Sequence, residues 1–268
     1  MDKSKLKTYS IGQVAENKAL NSKEIQVIPI EAMTMLDGEA KSNPGFMEDS
    51  GIDSKGTSYA SKTIVDNVLT ATWLPVSSNR MTAPDVRRGE RVLIWQYADA
   101  DEYYWTDLGW DYHLRKKETV RWAISATEDE NETEFNPENC YYVEVSSHNQ
   151  TITLSTTKKL GEPFAYTFQF NLKAGVVVLS DDAGNYIEFD SKETQILLHN
   201  MEGTEISLDK RNILMKCLGM LKATATQGIS LQAPIVDASG DVKIGGNIEW
   251  GGTAKGDGSG VSNTIPVD

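Results

Sequence analysis

Cysteine and histidine are scarce in this sequence of 268 residues. The two cysteines, Cys140 and Cys217, match neither a zinc motif nor a disulfide framework, so we expect the chain to fold in a reducing cytosol. The three histidines, His113, His148 and His199, are far apart, and none has a neighbouring ligand at metal-binding spacing. The sequence therefore predicts no bound metal and no cofactor.

Positive charge and long hydrophobic runs are also in short supply. Lysine and arginine number 26 against 39 aspartates and glutamates, which gives a formal net charge of −13. This balance argues against nucleic acid and anionic lipid as partners, because both attract Lys and Arg. No apolar run approaches the roughly 20 residues that a membrane-spanning helix needs. The basic start of the sequence lacks the apolar region of a signal peptide.

Sequence patterns typical of hydrolases are missing. Neither a nucleophile elbow nor the carboxylate pair of a glycosidase is recognisable, so we expect no enzymatic activity. An acidic loop with Asp99, Asp101 and Glu102 offers oxygen ligands for calcium. The loop lacks the other ligands of a calcium motif, and a solvated hairpin is the favoured interpretation.

A short repeated unit fills the last third of the sequence, from Gly175 to Gly252. Two apolar residues flank a third residue of any type, and a corner with glycine, asparagine or aspartate follows. A period of two places both apolar residues of a unit on one face of a β-strand. Glycine, Asn and Asp allow the tight turns between strands. Short strands at such regular intervals are typical of a β-solenoid or prism.

A face with two apolar residues per strand cannot enclose a core by itself. Three identical chains wound together would bury all three inward faces along one axis and would leave few open sheet edges. We therefore favour an intertwined homotrimeric needle, with an antiparallel sandwich and a single-chain solenoid as the alternatives. The predicted trimer core contains Val176, Val178, Ile187, Phe189, Ile196, Leu198, Ile206, Leu208, Ile229, Leu231, Val242 and Ile244.

The first half of the chain also has the composition of β-structure, without a convincing helix. Residues 1–22 are polar and predict an extended arm, which either docks on a larger assembly or frays. Residues 37–61 are rich in Gly, Ser, Asp and Asn and predict a long loop. The other segments predict a small barrel or sandwich of about five strands. The β-prone segments are 25–30, 65–74, 91–97, 103–105 and 120–124.

Aromatic residues are concentrated in the second half of this predicted barrel. Such rings could stack on sugars or bases. Few basic residues lie nearby before Arg115, so we favour a barrel core and a subunit interface, where Tyr and Trp are enriched. Downstream, residues 128–134 carry five acids in seven positions and predict a solvated boundary loop. The aromatic group consists of Trp95, Tyr97, Tyr103, Tyr104, Trp105, Trp110 and Tyr112.

Three consecutive features resemble a known family. They are Trp73-Leu74-Pro75, then APDVRRGERVLI at residues 83–94, then the aromatic hairpin. Together they resemble the oligonucleotide/oligosaccharide-binding (OB) barrel of the central spike proteins of contractile phage tails, in which a triple-stranded β-helix follows the barrel. Some members carry an inserted lysozyme domain or a C-terminal His-x-His metal site. Neither is recognisable here, because the last histidine is His199.

Composition, alternation and this resemblance together predict an all-β chain in five parts. These are an N-terminal arm at 1–22, an OB-type barrel at 23–135, a β-prism collar at 136–174, a triple-stranded β-helix at 175–252 and a C-terminal segment at 253–268. The last segment forms a blunt apex, holds a separate tip protein or is disordered.

The same resemblance implies a structural role in the virion. The protein would be made in the host cytoplasm and would cap the tail tube at the baseplate as a homotrimer. It would dock on a tube or hub protein at its N-terminal end and pierce the host outer membrane when the sheath contracts, without binding nucleic acid. The alternative is a tailspike or receptor-binding protein that binds or degrades polysaccharide.

Overall fold

The computed structural model describes residues 5–32, 46–64, 68–76, 79–110, 117–247 and 251. These residues form sixteen β-strands and no helix, which confirms the predicted all-β fold class. Five strands close into a barrel, two form a hairpin, and nine form a large sheet.

The barrel has the strand order of an OB-type fold. Its strands follow the order β1-β2-β5-β7-β6, and β6 pairs with β1 to close the ring. The pairing of β5 with β7 is parallel, and the other four pairings are antiparallel. The strands are β1 (Leu6–Val14), β2 (Glu24–Pro29), β5 (Leu69–Trp73), β6 (Arg91–Tyr97) and β7 (Tyr103–Asp107).

Inward-facing residues of these strands form the core of the barrel. Val27, Ile94 and Trp105 are fully buried there. The indole Nε1 of Trp105 donates a hydrogen bond of 3.0 Å to the carbonyl of Lys23, so the buried polar atom has a partner. Gly12 lies where β1 passes close to the side chains of Val27 and Ile94, and the missing Cβ makes room for that approach.

Two predicted boundaries of the barrel are wrong. The segment 1–22 contains strand β1, because Ser10, Gly12 and Val14 alternate inward between β2 and β6. Only Val14 among them is a typical core residue, so the apolar signal in the sequence was weak. The segment 120–124, predicted as the last barrel strand, belongs to strand β8 (Thr119–Ser125) of the large sheet.

A hairpin replaces part of the predicted long loop at 37–61. Strand β3 (Phe46–Ile52) pairs with strand β4 (Ser58–Ile64) in antiparallel register. The turn between them forms around Asp53, whose Oδ1 accepts the backbone N–H groups of Lys55 and Thr57, each at 2.9 Å. Polar composition alone indicated a loop, but these local hydrogen bonds favour a tight turn between two paired strands.

The nine-stranded sheet is an antiparallel meander in which each strand pairs with its neighbours in sequence. It runs without interruption from β8 through the predicted collar at 136–174 and into the predicted needle. The other strands are β9 (Cys140–Ser146), β10 (Thr151–Ser155), β11 (Tyr166–Asn171), β12 (Val176–Asp181), β13 (Tyr186–Asp190), β14 (Gln195–His199), β15 (Glu205–Asp209) and β16 (Asn212–Lys216).

Backbone hydrogen bonds join the barrel to this sheet. The linker between β5 and β6 lies along the free edge of β8, where Arg80 forms a β-bridge with Trp122. The N–H of Met81 donates to the carbonyl of Arg121 at 2.8 Å, and the N–H of Ala123 donates to Asn79 at 3.0 Å. The linker therefore acts as a short additional strand at the edge of the sheet.

Residues after Met220 belong to a separate unit of the chain. Its described residues, 221–247 and 251, contain no strand, although the alternation predicts strands at Ile229/Leu231 and Val242/Ile244. A short strand needs a hydrogen-bonded neighbour, and a single chain provides none at these positions. Residues 248–250 and 252–268 lie outside the described residues.

Candidate functional site: an uncovered apolar sheet face

Cross-strand pairing fixes which side chains of the large sheet share a face, because directly opposite residues point to the same side. Ile187 of β13 lies opposite Leu198 of β14, and Leu198 lies opposite Ile206 of β15. The same register continues through all nine strands. One side of the sheet therefore consists of two columns of side chains, which we call the apolar face.

Every position in the two columns is apolar. With nine strands about 4.8 Å apart, each column is roughly 40 Å long. The first column contains Trp122, Val143, Leu154, Phe168, Leu179, Ile187, Leu198, Ile206 and Met215. The second contains Val120, Val145, Ile152, Phe170, Val177, Phe189, Ile196, Leu208 and Ile213.

Burial in the single chain is the reverse of what these residue types prefer. Leu154 is 49% exposed, whereas Thr153 and Ser155 on either side of it are 5% and 9% exposed. The hydroxyl of Thr153 accepts a hydrogen bond from Gln169, and that of Ser155 bonds to Thr167. On β10 the polar side chains are thus covered and hydrogen-bonded within the chain, while the apolar side chain between them is open. Large exposed apolar surfaces of this kind mark interaction sites.

Tight turns at the strand ends hold the register of the sheet. In the turn between β12 and β13, Asp181 accepts hydrogen bonds from the side chain and the backbone N–H of Asn185. These bonds favour the carboxylate and lower the pKa of Asp181. The Oδ1 of Asn185 also accepts the N–H of Met201 from the next turn on that edge, at 3.1 Å. Successive turns are therefore linked to each other as well as to their own strands.

The predicted trimer core divides into three groups in the structure. Six of its residues share the apolar face: Ile187, Phe189, Ile196, Leu198, Ile206 and Leu208. Val176 and Val178 lie on the opposite face, where they pair with Asp190 and Glu188. The remaining four, Ile229, Leu231, Val242 and Ile244, lie outside any strand and are exposed in the single chain.

The assignment of Val176 and Val178 to this face is therefore corrected to Val177 and Leu179. Four consecutive apolar residues occupy positions 176–179, so alternation alone gave no preference for either register. The predicted trimer core also left out the apolar residues of β8 to β11, although the sequence predicted a β-prism collar at 136–174. The signal was present in the alternation of Thr151–Ser155, where Ile152 and Leu154 stand between polar residues.

The described histidines do not form a metal site. His148 bonds through Nε2 to Asp85 at 2.9 Å, and His199 stacks on Tyr186. His113 lies outside the described residues. Within the described part of the chain, no group of three or more His, Cys, Asp or Glu side chains is placed to hold a metal.

The acidic loop and the aromatic group belong to the β6–β7 hairpin and its surroundings. Asp99 pairs with Lys7 of β1 at 2.8 Å, and the hydroxyl of Tyr104 donates to Glu102. Trp105 is in the barrel core. Tyr103 is partly buried and packs against this core, and its ring contacts the ring of Tyr9. The exposed aromatic rings are Tyr97 and Trp110, with the guanidinium of Arg91 over the Trp110 ring. Tyr112 lies outside the described residues.

In its fold and its candidate site, this protein is an all-β chain. An OB-type barrel is joined to a meander sheet that has one apolar face. No protein-family model matches the chain, and no curated protein matches its sequence. No helix in the described ranges is long and apolar enough to cross a membrane.

Proposed function

We propose that three copies of this chain assemble into the central spike of a contractile phage tail. The observation that carries the proposal is the apolar face, whose two columns of side chains are left uncovered in the single chain across nine strands. Three such faces packed around one axis would form a closed prism with an apolar interior. Each buried aliphatic side chain would contribute roughly 1.5–3 kcal/mol.

Arrangement along the chain supports this proposal. An OB-type barrel precedes the sheet, as the resemblance to phage spike proteins implies, and backbone hydrogen bonds join the two. In the proposed trimer, residues 217–247 find their strand partners in the other two copies and continue the triple-stranded β-helix. The acidic and polar residues then face outward, which agrees with a net charge of −13 per chain and with the absence of nucleic acid among the proposed partners.

Mechanical piercing, without catalysis, is the activity that we propose. A narrow rod with closed β-ladders concentrates the force of sheath contraction on a small area of the host outer membrane. The barrel end would dock on the tail tube or a hub protein of the baseplate, and the C-terminal end would lead, with or without a tip protein.

Light scattering on the purified chain tests the assembly. We expect a mass three times the 29.6 kDa of one chain, independent of dilution into the nanomolar range. A monomer at micromolar concentration would contradict the trimer.

Immunogold labelling of tail particles then tests the location. We expect label at the baseplate end only, and particles without label at that end would contradict the spike role even if the trimer is correct.

A further inference from the structure

A cavity of about 300 Å³ lies where the barrel meets the first strands of the large sheet. The barrel side provides Lys18, Lys23 and Asp85, and the sheet side provides Arg121 of β8 and His148 of the β9–β10 turn. All of these residues belong to one chain, so the cavity exists whether or not the chain forms a trimer.

Three charged or titratable groups form the buried floor of the cavity. The Oδ1 of Asp85 is 2.8 Å from the Nζ of Lys18, and its Oδ2 is 2.9 Å from the Nε2 of His148. Their side chains are only 2% (Lys18), 6% (Asp85) and 10% (His148) exposed. Lys18 also donates to the carbonyls of Ala19 and Ser22, each at 3.1 Å. The charge of Asp85 is therefore already balanced inside the protein.

The remaining charge on the cavity wall is positive. Lys18, Lys23 and Arg121 line it against the single acid Asp85, and Glu144 pairs with both the Nε and the Nη2 of Arg121, so the three cations exceed the two acids by one charge. Glu144 holds the Nε of Arg121 at 2.7 Å but does not line the cavity. Lys23 is exposed at the rim and has no carboxylate partner among the described residues. A cavity with more positive than negative side chains on its wall is unusual on a chain with a net charge of −13.

We propose that this cavity binds a small tetrahedral oxyanion of the phosphate class. Guanidinium and ammonium groups form their strongest hydrogen bonds with charged oxygens, and Lys23 is the lining cation without a carboxylate partner among the described residues. Lys23 provides an ammonium at the rim, and Asn21 provides an amide donor beside it. A bound anion would contact residues from both the barrel and the sheet, and would therefore stabilise their junction.

Inorganic phosphate titrated into the full-length protein tests the proposal, with sodium chloride used to keep the ionic strength constant. We expect saturable binding by calorimetry and a saturable rise in melting temperature. Lys23→Gln removes a charged donor from an exposed position and leaves the buried floor intact. This variant should bind phosphate at least about tenfold more weakly, whereas Lys173→Gln, at an exposed turn away from the cavity, should bind like the wild type.

Sulfate and acetate at the same ionic strength complete the experiment. Sulfate should compete with phosphate, because it is also a tetrahedral oxyanion. Absence of saturable phosphate binding, unchanged binding by the Lys23→Gln variant, or a saturable response to acetate alone would each overturn the proposal.

Discussion

Ser207 is 4% exposed, whereas Ile206, the preceding residue on the same strand, is 43% exposed. Ser207 lies between Leu197 and Leu214 on the polar face, and these longer neighbours cover it. Ile206 lies between Leu198 and Met215 on the apolar face. A strand that hides its serine and exposes its isoleucine lacks a partner on the apolar side.

Ile206→Arg therefore tests the proposed trimer at the centre of its contact surface. Three like charges would meet in an apolar interior, where an unpaired charge is very costly. We expect the variant to fall to monomer, or to melt at least roughly 10 °C below the wild type. Light scattering and thermal unfolding at one fixed protein concentration measure both effects.

Asn212→Arg is the matched control for this substitution. Asn212 belongs to the adjacent strand β16 and shares the polar face with Ser207, but it is exposed. The control should remain a trimer with little change in melting temperature. Ser207→Arg would be a poor control, because the buried serine leaves no room for a long side chain. If the Ile206 and Asn212 variants behave alike, the apolar face is not the trimer interface.

Gly12→Ala tests the close approach of strands in the barrel. A Cβ at this position would lie less than 3.0 Å from side-chain atoms of Val27 and Ile94, both fully buried. Overpacking of this kind costs about 1–3 kcal/mol, so we expect a lower midpoint in urea. Gly219→Ala should leave the midpoint unchanged, because its Cβ would meet no atom within 4 Å. Equal midpoints for the two variants would show that β1 is not packed into the barrel.

Much of the barrel could be predicted from the sequence, because its strands combine β-branched and aromatic residues. Residues 91–97 and 103–105 were predicted close to the observed β6 and β7. Strand β1 was missed because its inward residues are Ser10, Gly12 and Val14, of which only Val14 is a typical core residue. Its place in the barrel depends on tertiary packing against β2 and β6, which no local pattern reports.

The apolar face was predictable wherever single apolar residues alternate with polar ones. This holds for Ile206 and Leu208, and for Ile187 and Phe189, which the alternation placed on one face. It fails at 176–179, where four apolar residues in succession allow two registers. The cavity beside Lys18 could not be predicted at all, because its floor brings together Lys18, Asp85 and His148, which are more than 60 residues apart in sequence.

Stability of the β3–β4 turn should depend on pH through Asp53. Burial would raise the pKa of this carboxyl, but hydrogen bonds from the N–H of Thr57, the Asn17 side chain and the N–H of Lys55 outweigh it and lower the pKa below 3.8. A lowered folded-state pKa gives stability that is present above pH 3.8 and is lost as the pH falls through the folded value.

Hydrogen exchange of residues 46–64 measured from pH 5 to pH 2.5, corrected for the intrinsic exchange rate, checks this prediction. Protection of the hairpin should decrease towards the acid end. Asp53→Asn should show weaker protection at pH 5 and a flatter pH profile, because the neutral amide accepts weaker hydrogen bonds from the turn. An identical pH profile in the wild type and the variant would exclude Asp53 as the titrating group.

Asp85→Asn should destabilise the junction between the barrel and the sheet. The substitution leaves the buried ammonium of Lys18 without its carboxylate, and breaking a buried pair in this way costs about 3–5 kcal/mol. We expect a clear fall in the urea midpoint, monitored by intrinsic tryptophan fluorescence, to which the buried Trp105 contributes. Asp99→Asn, which breaks the exposed pair with Lys7, should have little effect. Adding Lys18→Met to Asp85→Asn removes the unpaired charge and should recover part of the lost stability, whereas no recovery would show that Asp85 acts through His148 instead.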